Sequence, residues 1–148
     1  MTDPTVERPI DILLVEDAPG DVRLTFEAFK KATIEARLHA VKDGSEALDY
    51  LYHKGIHTGS KKPDLILLDL NIPKVNGFEV LGQVKNDPEL KRIPVVILTS
   101  SSNPEDIQRA YSAHANCYLI KPHDLQDFFA IIRAVEDFWL SLVELPPS

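Results

Sequence analysis

Short apolar runs alternate along this chain with longer segments in which apolar residues recur every three or four positions. The first run, Ile10-Asp11-Ile12-Leu13-Leu14-Val15, is rich in branched side chains and lies between Pro9 and the acidic pair Glu16-Asp17, which predicts a strand. After the turn signal Ala18-Pro19-Gly20, the residues Val22, Phe26, Phe29 and Ala32 place one apolar stripe on a helix. A second, short strand is expected around Arg37 to Val41, and Asp43-Gly44-Ser45 opens a helix that carries Ala47, Leu48 and Leu51. His53 to Pro63 is polar with glycines, which predicts an exposed loop.

Leu65-Ile66-Leu67-Leu68 is the most continuous apolar run and is bounded by Asp64 and Asp69, as expected of a parallel strand covered on both faces at the centre of a sheet. A turn at Pro73, a helix from Gly77 to Asn86 and a further buried strand, Val95 to Leu98, follow. Pro104 suits the first turn of a helix bearing Ile107, Ala110 and Tyr111, Cys117 to Ile120 forms a fifth strand, and a long last helix starts at Leu125. Strict alternation of strands and helices predicts an α/β, doubly wound (βα)5 domain, because parallel strands need right-handed crossovers. The strand order that fits is 2-1-3-4-5. In such a sheet the ligand site lies beyond the carboxyl ends of the strands, where strands 1 and 3 diverge.

Length and charge narrow the possibilities. At 148 residues one core is expected, spanning 10–148, with residues 1–9 a disordered or extended arm. Sixteen basic against 23 acidic side chains leave a net charge of -7, which repels nucleic acid and anionic lipid, and no run reaches the roughly 20 apolar residues of a membrane span. With no signal-peptide pattern at the start, a cytoplasmic location is expected. The single Cys117 excludes an internal disulfide and suggests a small buried side chain, and the five histidines show no zinc-ligand spacing.

The residues that follow the strands carry the chemistry. Glu16 and Asp17 end the first strand, Asp69 the third, Thr99 the fourth, and Lys121-Pro122 the fifth, so all meet on one rim. Like charges ~4 Å apart cost about 4 kcal/mol at an effective dielectric of about 20, so such a cluster calls for cations. Lys121 supplies one, and a hard, oxygen-seeking divalent ion, Mg²⁺ by preference, supplies the rest. A carboxylate so placed is a nucleophile for a phosphoryl group, and Asp69 on the central strand is the candidate, with the Thr99 hydroxyl aimed at a phosphoryl oxygen and the small Ser100 leaving the approach open.

The ordered set Glu16-Asp17, Asp69, Thr99, Tyr118 and Lys121-Pro122 resembles the receiver domains of two-component response regulators, over nearly the whole chain. The resemblance implies a flavodoxin-like fold and phosphorylation of Asp69 by a histidine kinase. It also implies metal ligation by Glu16, Asp17, Asp69 and the backbone carbonyl of Asn71, a switch made of Thr99 and Tyr118, and a cis Lys121-Pro122 bond. Glu16 departs from the aspartate of many members, which leaves direct and water-mediated ligation both open. The run Leu68 to Lys74, the long loop before the third strand and the ending Phe138-Trp139-Leu140 with Leu145-Pro146-Pro147 look like the single-domain regulators that partner bacterial phytochromes, cyanobacterial ones notably.

Two further expectations concern partners and rivals. In the last helix Leu125, Phe128, Phe129, Ile132, Val135, Trp139 and Leu142 form the stripe that covers the sheet, while Ile131, Phe138, Leu140, Val143 and Leu145 lie off it. This surplus predicts a homodimer through strand 5, the last helix and the tail, against the alternative that the tail folds back on its own domain. Output is expected through that dimer or an unidentified downstream protein. As a phosphoacceptor the chain would assist its own phosphorylation and dephosphorylation without being an enzyme on other substrates. The rival readings are a hydrolytic phosphatase with an aspartyl-phosphate intermediate, suggested faintly by Asp69-x-Asn71, and a nucleotide- or flavin-binding domain, against which Ala18-Pro19-Gly20 supplies no phosphate-binding glycine motif.

Overall fold

A computed structural model describes residues 9–31 and 35–147. Its strands are β1 (Ile10–Val15), β2 (Ala36–Val41), β3 (Leu65–Leu68), β4 (Val95–Thr99) and β5 (Cys117–Ile120). The α-helices between and after them are α1 (Pro19–Lys30), α2 (Gly44–Leu51), α3 (Gly77–Asn86), α4 (Pro104–Ser112) and α5 (Leu125–Val135). All strands pair in parallel in the order β2-β1-β3-β4-β5, as the alternation predicts.

Alternation along each strand divides the core into two layers. Leu13, Val15, Ile66, Leu68 and Ile97 face Ala47 and Leu51 of α2 and Val80, Leu81 and Val84 of α3. Ile12, Leu14, Leu65, Leu67, Val96 and Leu98 face Ala28 and Phe29 of α1 and Phe128, Ile132 and Val135 of α5. Every residue of β3 is buried, so it reads as an unbroken apolar run, each such side chain contributing roughly 1.5–3 kcal/mol. Helices α2 to α5 start on side-chain caps: Asp43, Asn76, Asn103 and Asp124 each accept a backbone N–H of the first turn.

The structure departs from expectation at several places. Ala32 and residues 1–8 of the arm lie outside the described residues. Cys117 is only half-buried, because β5 is an edge strand; burial still pushes its thiol pKa up. The loop before β3 is exposed as expected but holds one 3₁₀ turn, Gly55–His57. No described peptide bond is cis, so Lys121-Pro122 keeps the trans form that even proline favours, by about 0.5–1 kcal/mol.

The largest departure is the phase of the last helix. From Glu136 to Leu142 the backbone widens into a π-helical segment, closed by the Val143 N–H donating to the Phe138 carbonyl at 2.9 Å. With bonds to the fifth residue back, the next buried position after Val135 is Leu140, while Leu142 and Phe138 turn outward at 77% and 52% exposure. A stripe of α-helical period assigns Leu140 and Leu142 the opposite way. After the helix the chain extends, and Pro146 and Pro147 line one groove together with Lys62, Pro63, Arg92 and Ile93, so the tail's end returns to its own domain.

Candidate functional site

The rim at the carboxyl ends of the strands is built by backbone bonds that carry the ladder one residue past each strand. The Glu16 N–H donates to the Val41 carbonyl at 3.0 Å, that of Asp69 to Val15 at 3.0 Å, and that of Lys121 to Thr99 at 2.7 Å. The backbone at these positions is therefore anchored to the sheet. Glu16, Asp69 and Thr99 are buried, and Asp17 is exposed at the mouth.

Lys121 is the electrostatic centre. Its ammonium donates to Asp69 Oδ2 and Asp21 Oδ2, each at 2.9 Å, and to Glu16 Oε1. Burial opposes the charge on Lys121, but hydrogen bonds to Glu16, Asp69 and Asp21 outweigh it and raise its pKa above the ordinary lysine value. Burial first, and the neighbouring Asp69 charge after it, push the Glu16 carboxyl up to about 7, against the opposing pull of Lys121 and of the Ala18 N–H, which donates to Glu16 Oε2 at 3.1 Å. Asp21 carries no strand-end signal in the sequence. It lies in the first turn of α1, where an acidic residue looks like an ordinary partner of the helix dipole; only the topology brings it over β5.

Asp69 is held from both sides. Its Oδ1 accepts the Thr99 hydroxyl at 2.8 Å and the Asn71 N–H at 3.1 Å, while Oδ2 accepts Lys121. The Tyr118 hydroxyl does not reach this carboxylate: it donates to the Ser101 carbonyl at 2.9 Å, two residues beyond Thr99 in the same connection. The loop after Asp69 is clamped by two glycines. A methyl on Gly77 would lie 2.5 Å from the Asp69 carbonyl oxygen, and one on Gly44 1.7 Å from the Val75 carbonyl oxygen, so the helices close on the loop only where no side chain intervenes.

Glu16, Asp17 and Asp69 each present a carboxylate oxygen within 4.8 Å of the others. This is an all-oxygen donor set suited to a small hard divalent ion, and Asp17 makes no ion pair among the described residues. Three converging carboxylates share the rim with the single Lys121 ammonium, which Asp21 also draws on, so negative charge is left over for such an ion to neutralise and the residues fit the group.

Residues 12–133 match the response regulator receiver domain family, and the chain belongs to that family. It is 48% identical over 140 residues to the response regulator Rcp1 of Synechocystis sp., covering 95% of each chain. Among solved structures, the Mn²⁺-bound form of Rcp1 superposes with a TM-score of 0.91 at 47% identity, covering 94% of this chain and 100% of that one. The phosphorylated cyanobacterial phytochrome response regulator RcpA superposes with a TM-score of 0.92 at 46% identity, over 95% and 100%. The chain is thus a response regulator of the Rcp1 type, similar to regulators of phytochromes in sequence and in fold.

Proposed function

We propose that this chain is a stand-alone receiver, one domain from residue 10 onward, that accepts a phosphoryl group on Asp69 from the phosphohistidine of a phytochrome-linked histidine kinase. The observation that carries the reading is the Lys121 ammonium 2.9 Å from Asp69 Oδ2, beside a carboxylate trio able to hold Mg²⁺. A carboxylate oxygen of Asp69 forms the new P–O bond as the P–N bond to the kinase histidine breaks. Glu16, Asp17, Asp69 and the Asn71 carbonyl would hold Mg²⁺, which would neutralise charge on the incoming oxygens. Lys121 holds the acceptor in place and neutralises a phosphoryl oxygen, while Asp21 and Glu16 keep its ammonium over the rim. Ser100, exposed and small, leaves the approach free.

Once Asp69 carries the phosphoryl group as an acyl phosphate, the Thr99 hydroxyl donates to a phosphoryl oxygen instead of to Oδ1, and the connection carrying Ser101 follows. Tyr118, tied to the Ser101 carbonyl, moves with it, and the face made by α4, β5 and α5 shifts its population between two forms. That face holds exposed Ile120 and Leu125, with Phe138 and Leu142 on the continuation of α5, which supports a homodimer and a downstream protein partner. Phosphotransfer from purified phytochrome-linked kinases is the test. Rapid transfer to the wild type and none to Asp69→Ala is expected, whereas equal labelling of both would overturn the assignment.

A further inference from the structure

Helix α4 is lightly attached to the domain. Ala110 is its one buried residue, Tyr111 is 49% exposed, and its start hangs on the connection from β4. There Ser101 acts as a hub: its hydroxyl donates to Asp106 Oδ2 at 2.6 Å, its Oγ accepts the Asn103 N–H at 3.3 Å, and its carbonyl accepts Tyr118. At the other end of the helix the guanidinium of Arg109 lies over the ring of Phe78, 4.0 Å from the centroid. Arg109 makes no ion pair among the described residues, so this stacking is its principal attachment.

Phe78 is not an arbitrary neighbour. It follows Gly77, whose N–H donates to the Leu70 carbonyl at 3.0 Å and whose Cα approaches the Asp69 backbone too closely to admit a side chain. The ring is therefore fixed to the loop that leaves the acceptor aspartate, while Arg109 rides on α4, which has Ala110 as its one buried residue. Cation–π attraction operates within about 6 Å of the ring centroid, so a helix shift of about 1–2 Å, the usual size in switching proteins, weakens or breaks it.

We infer that Arg109 stacked on Phe78 is a latch that holds α4 in its resting position and so sets how readily Asp69 takes and keeps a phosphoryl group. The inference rests on Asp69 being the acceptor. The latch is closed in the arrangement where Thr99 donates to the unmodified Asp69 carboxylate, so it weights the equilibrium toward that form. An exposed cation–π pair is worth about a two- to five-fold change in a two-state equilibrium. Arg109 and Phe78 are thus positioning residues that act through α4 and the connection to Thr99.

The test uses acetyl phosphate with Mg²⁺ as donor: the Asp69 oxygen bonds to phosphorus, the bond from phosphorus to the acetyl oxygen breaks, and acetate leaves. Rates of phosphorylation at subsaturating donor, and of phosphate loss, are measured for wild type, Arg109→Gln, Phe78→Leu and the double variant. Arg109 is exposed, so Arg109→Gln should leave the urea midpoint nearly unchanged, a control that separates a latch from a folding role. Each single variant is expected to phosphorylate about two- to five-fold faster and the double variant no faster than the singles, with Arg109→Lys intermediate. Wild-type labelling with unchanged rates in Arg109→Gln, or fully additive effects, would overturn the latch alone. Absence of any wild-type label would overturn the Asp69 reading and the latch with it.

Discussion

Replacing Lys121 by methionine removes the cation on which the rim converges. The side chain is 9% exposed, and its Nζ bonds to Glu16, Asp21 and Asp69. A lysine whose folded pKa is raised contributes stability that is fully present below its unfolded value, so at neutral pH the whole contribution is at stake. Leaving buried charges without their partner costs about 3–5 kcal/mol. Glu16, already pushed up to about 7, limits the loss by taking up a proton once the ammonium that lowers it is gone, which places the cost near the lower end, about 3 kcal/mol. For a chain of this size that is about 6–12 °C in melting temperature.

The pH dependence has a definite sign. A carboxyl whose folded pKa lies above its unfolded value is a liability at pH above the folded value and none below the unfolded one. The gap between wild type and Lys121→Met should therefore be widest at about pH 8 and narrow on acidification through 7 toward the ordinary glutamate range. Millimolar Mg²⁺ should close part of it by standing in for the missing charge. Thermal melts followed by circular dichroism, in EDTA and in Mg²⁺ at each pH, measure all of this. A gap below about 1 kcal/mol, or one indifferent to both pH and Mg²⁺, would refute the electrostatic reasoning.

Other expectations are more local. Gly77→Ala forces a methyl to within 2.5 Å of the Asp69 carbonyl oxygen and should cost about 1–3 kcal/mol in urea unfolding while slowing phosphorylation, since the backbone of the acceptor must shift. Buried Asp11 accepts Arg37 Nε at 3.0 Å and Nη2 at 3.1 Å, with His39 Nε2 at 3.3 Å; burial pushes its carboxyl up, but these partners outweigh it and lower the pKa. Because Arg37 is 43% exposed, Asp11→Asn should cost only about 1 kcal/mol. That contribution is present above the ordinary aspartate range and lost as pH falls through the lowered value, so the two urea midpoints should converge only in strong acid. Phe138→Glu combined with Leu142→Glu should weaken self-association by at least tenfold in light scattering while leaving phosphorylation intact; a wild type that is monomeric at tens of micromolar, phosphorylated or not, would refute the dimer.

Strand ends are where the sequence is most readable, because an apolar run closed by one polar residue marks both the element and the group it delivers. Glu16, Asp69, Thr99 and Lys121 are legible for that reason. Asp21 is not: a first-turn acid on a helix has an ordinary explanation, and its bond to Lys121 spans 100 residues of sequence. Gly44 and Gly77 read as helix starts, whereas they also permit the close approach of two helices to one loop. The exchange of Leu140 for Leu142 follows from a change of hydrogen-bond period after Val135, which hydrophobic spacing read at an α-helical period cannot reveal. Arg109 on Phe78 likewise joins an exposed and a half-buried position on separate helices, a pairing that spacing along either helix does not reveal.

Chemical mapping of the modified residue tests the central claim most directly. After incubation with a histidine kinase and ATP, or with acetyl phosphate, reduction by borohydride converts an aspartyl phosphate to homoserine, which peptide sequencing by mass spectrometry locates. Homoserine at position 69 alone, formed in Mg²⁺ and suppressed by EDTA, is the expected result. Modification at any other position, or an equal yield at 69 without divalent metal, would contradict the account.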